Sequence, residues 1–142
     1  MRALFDVNML LILFDQEHVL RPRALAWWQQ NERYGWASCP ITQNGFVRII
    51  SQPAYVRPKR LLEAVTMLAS QTAGPGHEFW SKDVSFLSKT LIDHTQVLGH
   101  RQITDVYLLA LAVAHGGRLV TFGRKVPVTA VRGATAEHCV VV

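Results

Sequence analysis

The sequence predicts an α/β fold around a mostly parallel sheet. Short apolar, strand-like segments alternate with helical segments at the spacing of βαβ units. No internal repeat or low-complexity block interrupts the alternation, and the one linker-like stretch, residues 71–76, is flanked by structured-looking sequence. All 142 residues are therefore read as a single domain, long enough to bury a core without disulfides or metal staples.

Residues 2–5, Arg-Ala-Leu-Phe, read as a short buried strand, and residues 7–14 as a largely buried helix, with Asp6 at their junction. Residues 21–32, where Leu25, Trp27 and Trp28 alternate with polar positions, suit an amphipathic helix stopped by Gly35. Residues 36–39 form a second strand, ended by Pro40. A short helix is expected over 41–50, because Phe46, Ile49 and Ile50 recur at helical spacing. The helix predicted for 58–70 has Pro58 in its first turn and Leu61, Leu62, Val65 and Leu68 on one buried face. Residues 77–80 suit a third strand and 84–91 a short helix. Thr104 offers an N-cap to a long apolar helix over 105–115, closed by Gly116 and Gly117. Strands are then expected at 118–122 and 139–142.

Fifteen Lys and Arg against ten Asp and Glu leave a formal charge of +5, which fits a polyanionic partner without proving one. With 49% apolar and 18% charged residues, the chain is neither disordered nor a polybasic tail. The longest apolar run, residues 106–114, is too short to span a bilayer, and no secretory leader pattern opens the chain, so a soluble, cytoplasmic protein is expected. Cys39 and Cys139 lack metal-ligand spacing, and the six histidines form neither HxxxH nor HExxH.

In parallel sheets ligands collect at the carboxyl ends of the strands, near the switch in strand order. Four junctions fall there: Asp6, the Thr42-Gln43 turn, Asp105 and Gly123. Asp6 and Asp105 adjoin apolar segments, where an uncompensated carboxylate is costly to bury. Either each acid favours the positive N-terminal end of its own helix, or the two converge on a hard divalent cation able to activate water and stabilise charge on a phosphodiester.

Three segments together carry a family resemblance: Leu4-Phe5-Asp6-Val7-Asn8-Met9-Leu10-Leu11, the stretch Cys39-Pro40-Ile41-Thr42-Gln43-Asn44-Gly45-Phe46-Val47-Arg48, and residues 99–112 around Thr104-Asp105. Gly116-Gly117-Arg118-Leu119-Val120-Thr121-Phe122 completes them. The chain resembles PIN-domain ribonuclease toxins of the VapC type over its whole length. That resemblance implies a PIN-like α/β/α sandwich, Mg²⁺ or Mn²⁺ at an acidic pocket, cleavage of RNA, inhibition by a VapB-type antitoxin, and a homodimer. Residue by residue, Asp6 matches the first metal-binding acid and Asp105 the third. Gln43 stands where the family usually has Glu, and Gly123 where it usually has Asp.

Asp6, Asp105 and Gln43 are accordingly the candidate catalytic residues, with Asp6 and Asp105 on the metal and Gln43 positioning water. Gln43 retains an acceptor oxygen but neither charge nor basicity. Asn8, Arg48, Thr104 and Arg124 are candidate substrate contacts, with Arg101 and Lys125 flanking them and His100 nearby. Asp83 either replaces a missing acid or caps the helix expected after it. A PIN module that binds antitoxin or RNA without efficient cleavage is the alternative. With acids at positions 43 and 123 the formal charge would be about +3, so part of the basic excess reflects missing acids.

Overall fold

A computed structural model describes residues 1–81, 84–124 and 126–142. Asp83 and Lys125 lie outside the described residues. Five parallel strands, β1 (Ala3–Phe5), β2 (Trp36–Ser38), β3 (His77–Phe79), β4 (Arg118–Thr121) and β5 (Cys139–Val141), form one sheet in the order β3-β2-β1-β4-β5. The sheet expected to be mostly parallel is parallel at every strand pair. The register sets Leu4 beside Ala37 and Leu119, and Phe5 beside Val120.

Strand alternation divides the core between the two faces. Ala3, Phe5, Trp36 and Val120 point to one side. There they meet Met9 and Leu10 of α1 (Val7–Phe14), Phe46 and Ile50 of α3 (Pro40–Ile50), Ala64 and Leu68 of α4 (Leu61–Thr72), and Ala24 of α2 (Arg21–Asn31). Trp27 and Trp28 set their ring edges against Phe5, and Trp36 stacks on it. Leu4, Ala37 and Leu119 point to the other face, where α5 (Ile103–Ala114) supplies Val106, Leu108, Leu109 and Leu111. The result is the expected α/β/α sandwich. No helix among the described residues is long and apolar enough to cross a membrane.

Three local expectations are corrected. Helix α4 begins at Leu61, not in the Pro58 turn, because the Lys59 amide bonds the Ile50 carbonyl and Arg57 is tied to Asp15, which holds the preceding chain extended. Its buried face is Ala64 and Leu68, while Leu61, Leu62 and Val65 are exposed. Residues 84–91 form turns instead of a helix. Ser85 Oγ accepts the Leu87 amide and Ser88 pairs with Thr90, so local side-chain bonds compete with a helix too short to stand alone. Helix α5 starts two residues earlier than expected, at Ile103: a 3₁₀ turn, His100–Gln102, runs into it and places Thr104 inside the first turn instead of at the cap.

Candidate active site

Strand β1 lies between β2 and β4, and the chain leaves β1 and β4 toward different parts of the fold. The crevice at their carboxyl ends is the sheet's switch point. Asp6 stands there as the N-cap of α1. Its Oδ1 accepts the Met9 amide at 2.7 Å, its Oδ2 accepts the Thr121 hydroxyl, and its own amide donates to the Val120 carbonyl. The carboxyl is 5% exposed, and burial pushes its pKa up to about 6. Both hydrogen bonds oppose that rise, and the nearby Asp105 charge adds to it.

Asp105 reaches the same place from the opposite side of the sheet, from the first turn of α5. Burial raises its pKa, and the Arg124 guanidinium pulls the other way. Both carboxylates line an open cleft of about 380 Å³, together with Asn8, Arg101, Thr121, Phe122, Gly123 and Arg124. The two readings left open for these acids are compatible: each sits at the start of a helix, and the two also converge.

Asn8 and Arg124 occupy the cleft as expected, as does Arg101. Gln43 does not line it. Its Nε2 donates to Ser38 Oγ at 2.9 Å, and the residue borders a groove between α3 and α4 with Asn44, Val47 and Leu68. The hydroxyl that terminates β2 supplies a buried acceptor that turns the amide aside. Arg48 is exposed on α3 and absent from the cleft lining, because the residues around it on that helix pack toward α1 and α4. Thr104 is likewise exposed and outside the lining, displaced from the cap by the earlier helix start.

Gly123 lines the cleft at φ +120°, a conformation that side-chain-bearing residues rarely adopt, although a Cβ there would meet no atom within 4 Å. Gly45 has the opposite character. A Cβ on it would lie 2.5 Å from Val7 Cγ2, so its absence lets α3 close on the start of α1 beside Asp6. Thr121 is the site residue that charge-based reasoning passed over. The signal for it was a hydroxyl at the last position of a strand, in the Thr-Phe pair at a predicted junction.

Among the described residues no group of three or more His, Cys, Asp or Glu is placed to hold a metal ion. Two hard carboxylates in an open, polar cleft still fit Mg²⁺, which is held through one or two carboxylates, with waters and substrate phosphates completing its shell. The cleft's electrostatics are mixed, with two acids at its base and two guanidinium groups on its lining.

No protein-family model matches the chain. Curated relatives do. Ribonuclease VapC44 of Mycobacterium tuberculosis (strain H37Rv) is 54% identical over 138 residues, 97% of each chain. Ribonuclease VapC39 of the same strain is 42% identical over 123 residues, 86% of this chain and 88% of the relative. Ribonuclease VapC38 is 40% identical over 122 residues, 84% of each. Among solved structures, VapBC2 from Rickettsia felis, bound to a DNA fragment from its promoter, aligns over 85% of this chain and 86% of that one. Its TM-score is 0.51 at 16% identity, a likeness of fold alone. With two carboxylates brought together at the switch point of an α/β/α sandwich, and relatives at this identity matched almost end to end, the chain belongs to the VapC family of PIN-domain ribonuclease toxins.

Proposed function

We propose that this protein is a divalent-metal-dependent endoribonuclease, the toxin of a VapBC-type pair, acting on RNA in the cytoplasm and held in check by a VapB-type antitoxin. The observation that carries the reading is the convergence of Asp6 and Asp105, from opposite faces of the sheet, on one cleft that also presents Arg101 and Arg124. Asp6 and Asp105 would hold Mg²⁺ or Mn²⁺. When bound, the ion lowers the pKa of a water and stabilises charge on the phosphodiester.

The chain's own residues do the rest. Thr121 and the Met9 amide fix the Asp6 carboxylate and keep it ionised near neutral pH against the effect of burial. Arg101 and Arg124 draw the RNA backbone to the cleft, and the Asn8 amide offers a donor and an acceptor to the bound phosphate or ribose. The exposed Leu61, Leu62 and Val65 on α4 supply apolar surface for the homodimer in this reading.

Among the described residues two carboxylates meet in the cleft, which favours a second reading, a module that binds antitoxin or RNA with little turnover. Incubating the protein with single-stranded RNA and Mg²⁺ or Mn²⁺ separates the two. Metal-dependent cleavage that drops about a hundredfold or more in Asp6→Asn and Asp105→Asn, with matching relief of growth arrest, supports the enzyme. RNA binding without cleavage by the unaltered protein supports the module. A doubly neutralised protein that cuts RNA as well as the parent would sink the metal-site assignment.

A further inference from the structure

A second cavity, about 590 Å³, opens beside the acidic cleft and shares Asn8, Phe122 and Gly123 with it. Its inner wall is apolar, with Leu11 and Ile12 of α1, the Phe122 ring and Val142. Its polar groups are spaced along the rim. Arg23, from α2, holds its guanidinium 5.6 Å from the Phe122 ring centre. His18 accepts the Leu20 amide at Nδ1, 3.1 Å away, which leaves Nε2 as the ring nitrogen able to face a ligand. Among the described residues no Asp or Glu side chain lines this cavity, in contrast to the cleft beside it. It has the size of a small-ligand site, with an apolar wall and a few polar groups.

We propose that this cavity is a nucleobase subsite, taking the base of a nucleotide that neighbours the scissile phosphate. The proposal rests on the ribonuclease reading and extends it to substrate selection. The occupant follows from three features. The cavity adjoins the cleft, with Asn8, Phe122 and Gly123 lining both, so neighbouring nucleotides of one RNA strand can reach the two together. The wall of Leu11, Ile12 and Phe122 suits the face of a base, while His18 and Asn8 sit where base-edge groups need partners. Among the described residues that line it, Arg23 carries a permanent side-chain charge, which is cationic and suits the phosphate on the far side of that nucleotide. Base contacts of this kind select sequence, whereas the guanidinium groups of the cleft do not.

The test uses fluorescence anisotropy with a labelled mixed-sequence 12-nucleotide single-stranded RNA, with Ca²⁺ replacing Mg²⁺, and the same strand made abasic. Leu20→Trp fills the cavity mouth from a partly exposed position, and Arg23→Ala removes an exposed charge that carries no fold contact beyond the Phe122 ring. Each is expected to weaken binding of the intact RNA about tenfold. The abasic strand should bind Leu20→Trp as it binds the parent. Intact RNA binding both variants as tightly as the parent overturns the proposal, as does a parent protein that binds no RNA. A third overturning result is Leu20→Trp losing its grip on a VapB-type antitoxin while its RNA affinity stands, which makes the cavity a protein-docking groove. Failure of the ribonuclease reading shows separately, as absence of metal-dependent cleavage by the parent, and leaves the binding comparison readable.

Discussion

Asp15→Asn should remove a measurable slice of acid-sensitive stability. Asp15 follows α1 directly, is 3% exposed, and receives Arg57 Nε at 3.0 Å, Arg57 Nη2 at 2.6 Å and the Tyr55 hydroxyl at 2.8 Å. These donors, Arg57 foremost, lower its pKa from 3.8 to about 2. A carboxyl depressed in the folded state stabilises the protein above its unfolded pKa, and that contribution is lost as pH falls through the folded value. The difference between 3.8 and about 2 corresponds to about 2 kcal/mol, fully present above about pH 5, roughly halved near pH 3 and mostly gone at pH 2. Urea unfolding of the parent and Asp15→Asn across this range isolates the group, because every other carboxyl titrates in both proteins. The gap between the two stabilities should shrink by about 2 kcal/mol between about pH 6 and pH 2, with equal m-values. Parallel curves would refute the assignment. The same result would deny the clamp its role in anchoring the chain between α3 and α4 to the end of the helix that begins at Asp6.

Two further perturbations bear on the cleft. Thr121→Val removes a hydrogen bond that lowers the Asp6 pKa, so that pKa should rise above about 6, and the acid limb of the cleavage-versus-pH profile should move to higher pH with about tenfold less activity at pH 7. An unmoved limb would show Asp6 to be held by other means. Gly45→Ala places a methyl 2.5 Å from Val7 Cγ2 and should destabilise the fold by about 1–3 kcal/mol in thermal or urea unfolding; Val7→Ala in the same chain should restore most of it.

The strand segments, and the junctions that the structure brings to one cleft, were readable because they follow from simple periodicities. The three inner strands are three or four residues long and buried on both faces along most of their length, as in Ala3-Leu4-Phe5, as parallel strands covered on both sides should be, whereas β3 and β5 at the sheet edges are more exposed. Asp6, Asn8, Asp105 and Arg124 fell at strand ends or helix starts, where the switch-point rule applies without side-chain detail. The failures have a different origin. Leu61, Leu62 and Val65 satisfy a helical apolar stripe, yet α4 touches the core through the smaller Ala64 and through Leu68, and periodicity does not say which apolar face a helix turns inward. The turns at 84–91 were decided by serine hydroxyls and by the Ile92–Val131 bridge, contacts set by distant chain. Arg48 was placed by helical phase alone, and no residue of α3 lines the cleft.

The two positions where the resemblance implies acids proved unlike each other. At Gly123 the backbone itself, at φ +120°, disfavours a side chain although space is open. At Gln43 a hydrogen-bond chain makes the amide functional in its own right: Gln43 Nε2 donates to Ser38 Oγ, and Ser38 pairs with His77 Nε2 at 2.8 Å. The His77 ring also bonds the Thr72 backbone, and burial foremost keeps its pKa below the ordinary value. With the Gln43 amide donating, Ser38's proton is free to face the imidazole, and the neutral ring accepts it. Glutamate has no proton to give when ionised, so Gln43→Glu turns the Ser38 hydroxyl toward the carboxylate and takes the donor from His77. The ring then has reason to bind a proton, and the added negative charge favours that proton further. NMR titration of the His77 imidazole should therefore show its pKa rising in Gln43→Glu. An unchanged titration would mean that the amide's proton is not what orders the chain, and that the position could carry either residue at no consequence for the end of β2. A rise would mean that an acid introduced at position 43 is drawn first into the α3–β2–β3 network, so that Gln43→Glu does not by itself bring a third carboxylate to the cleft.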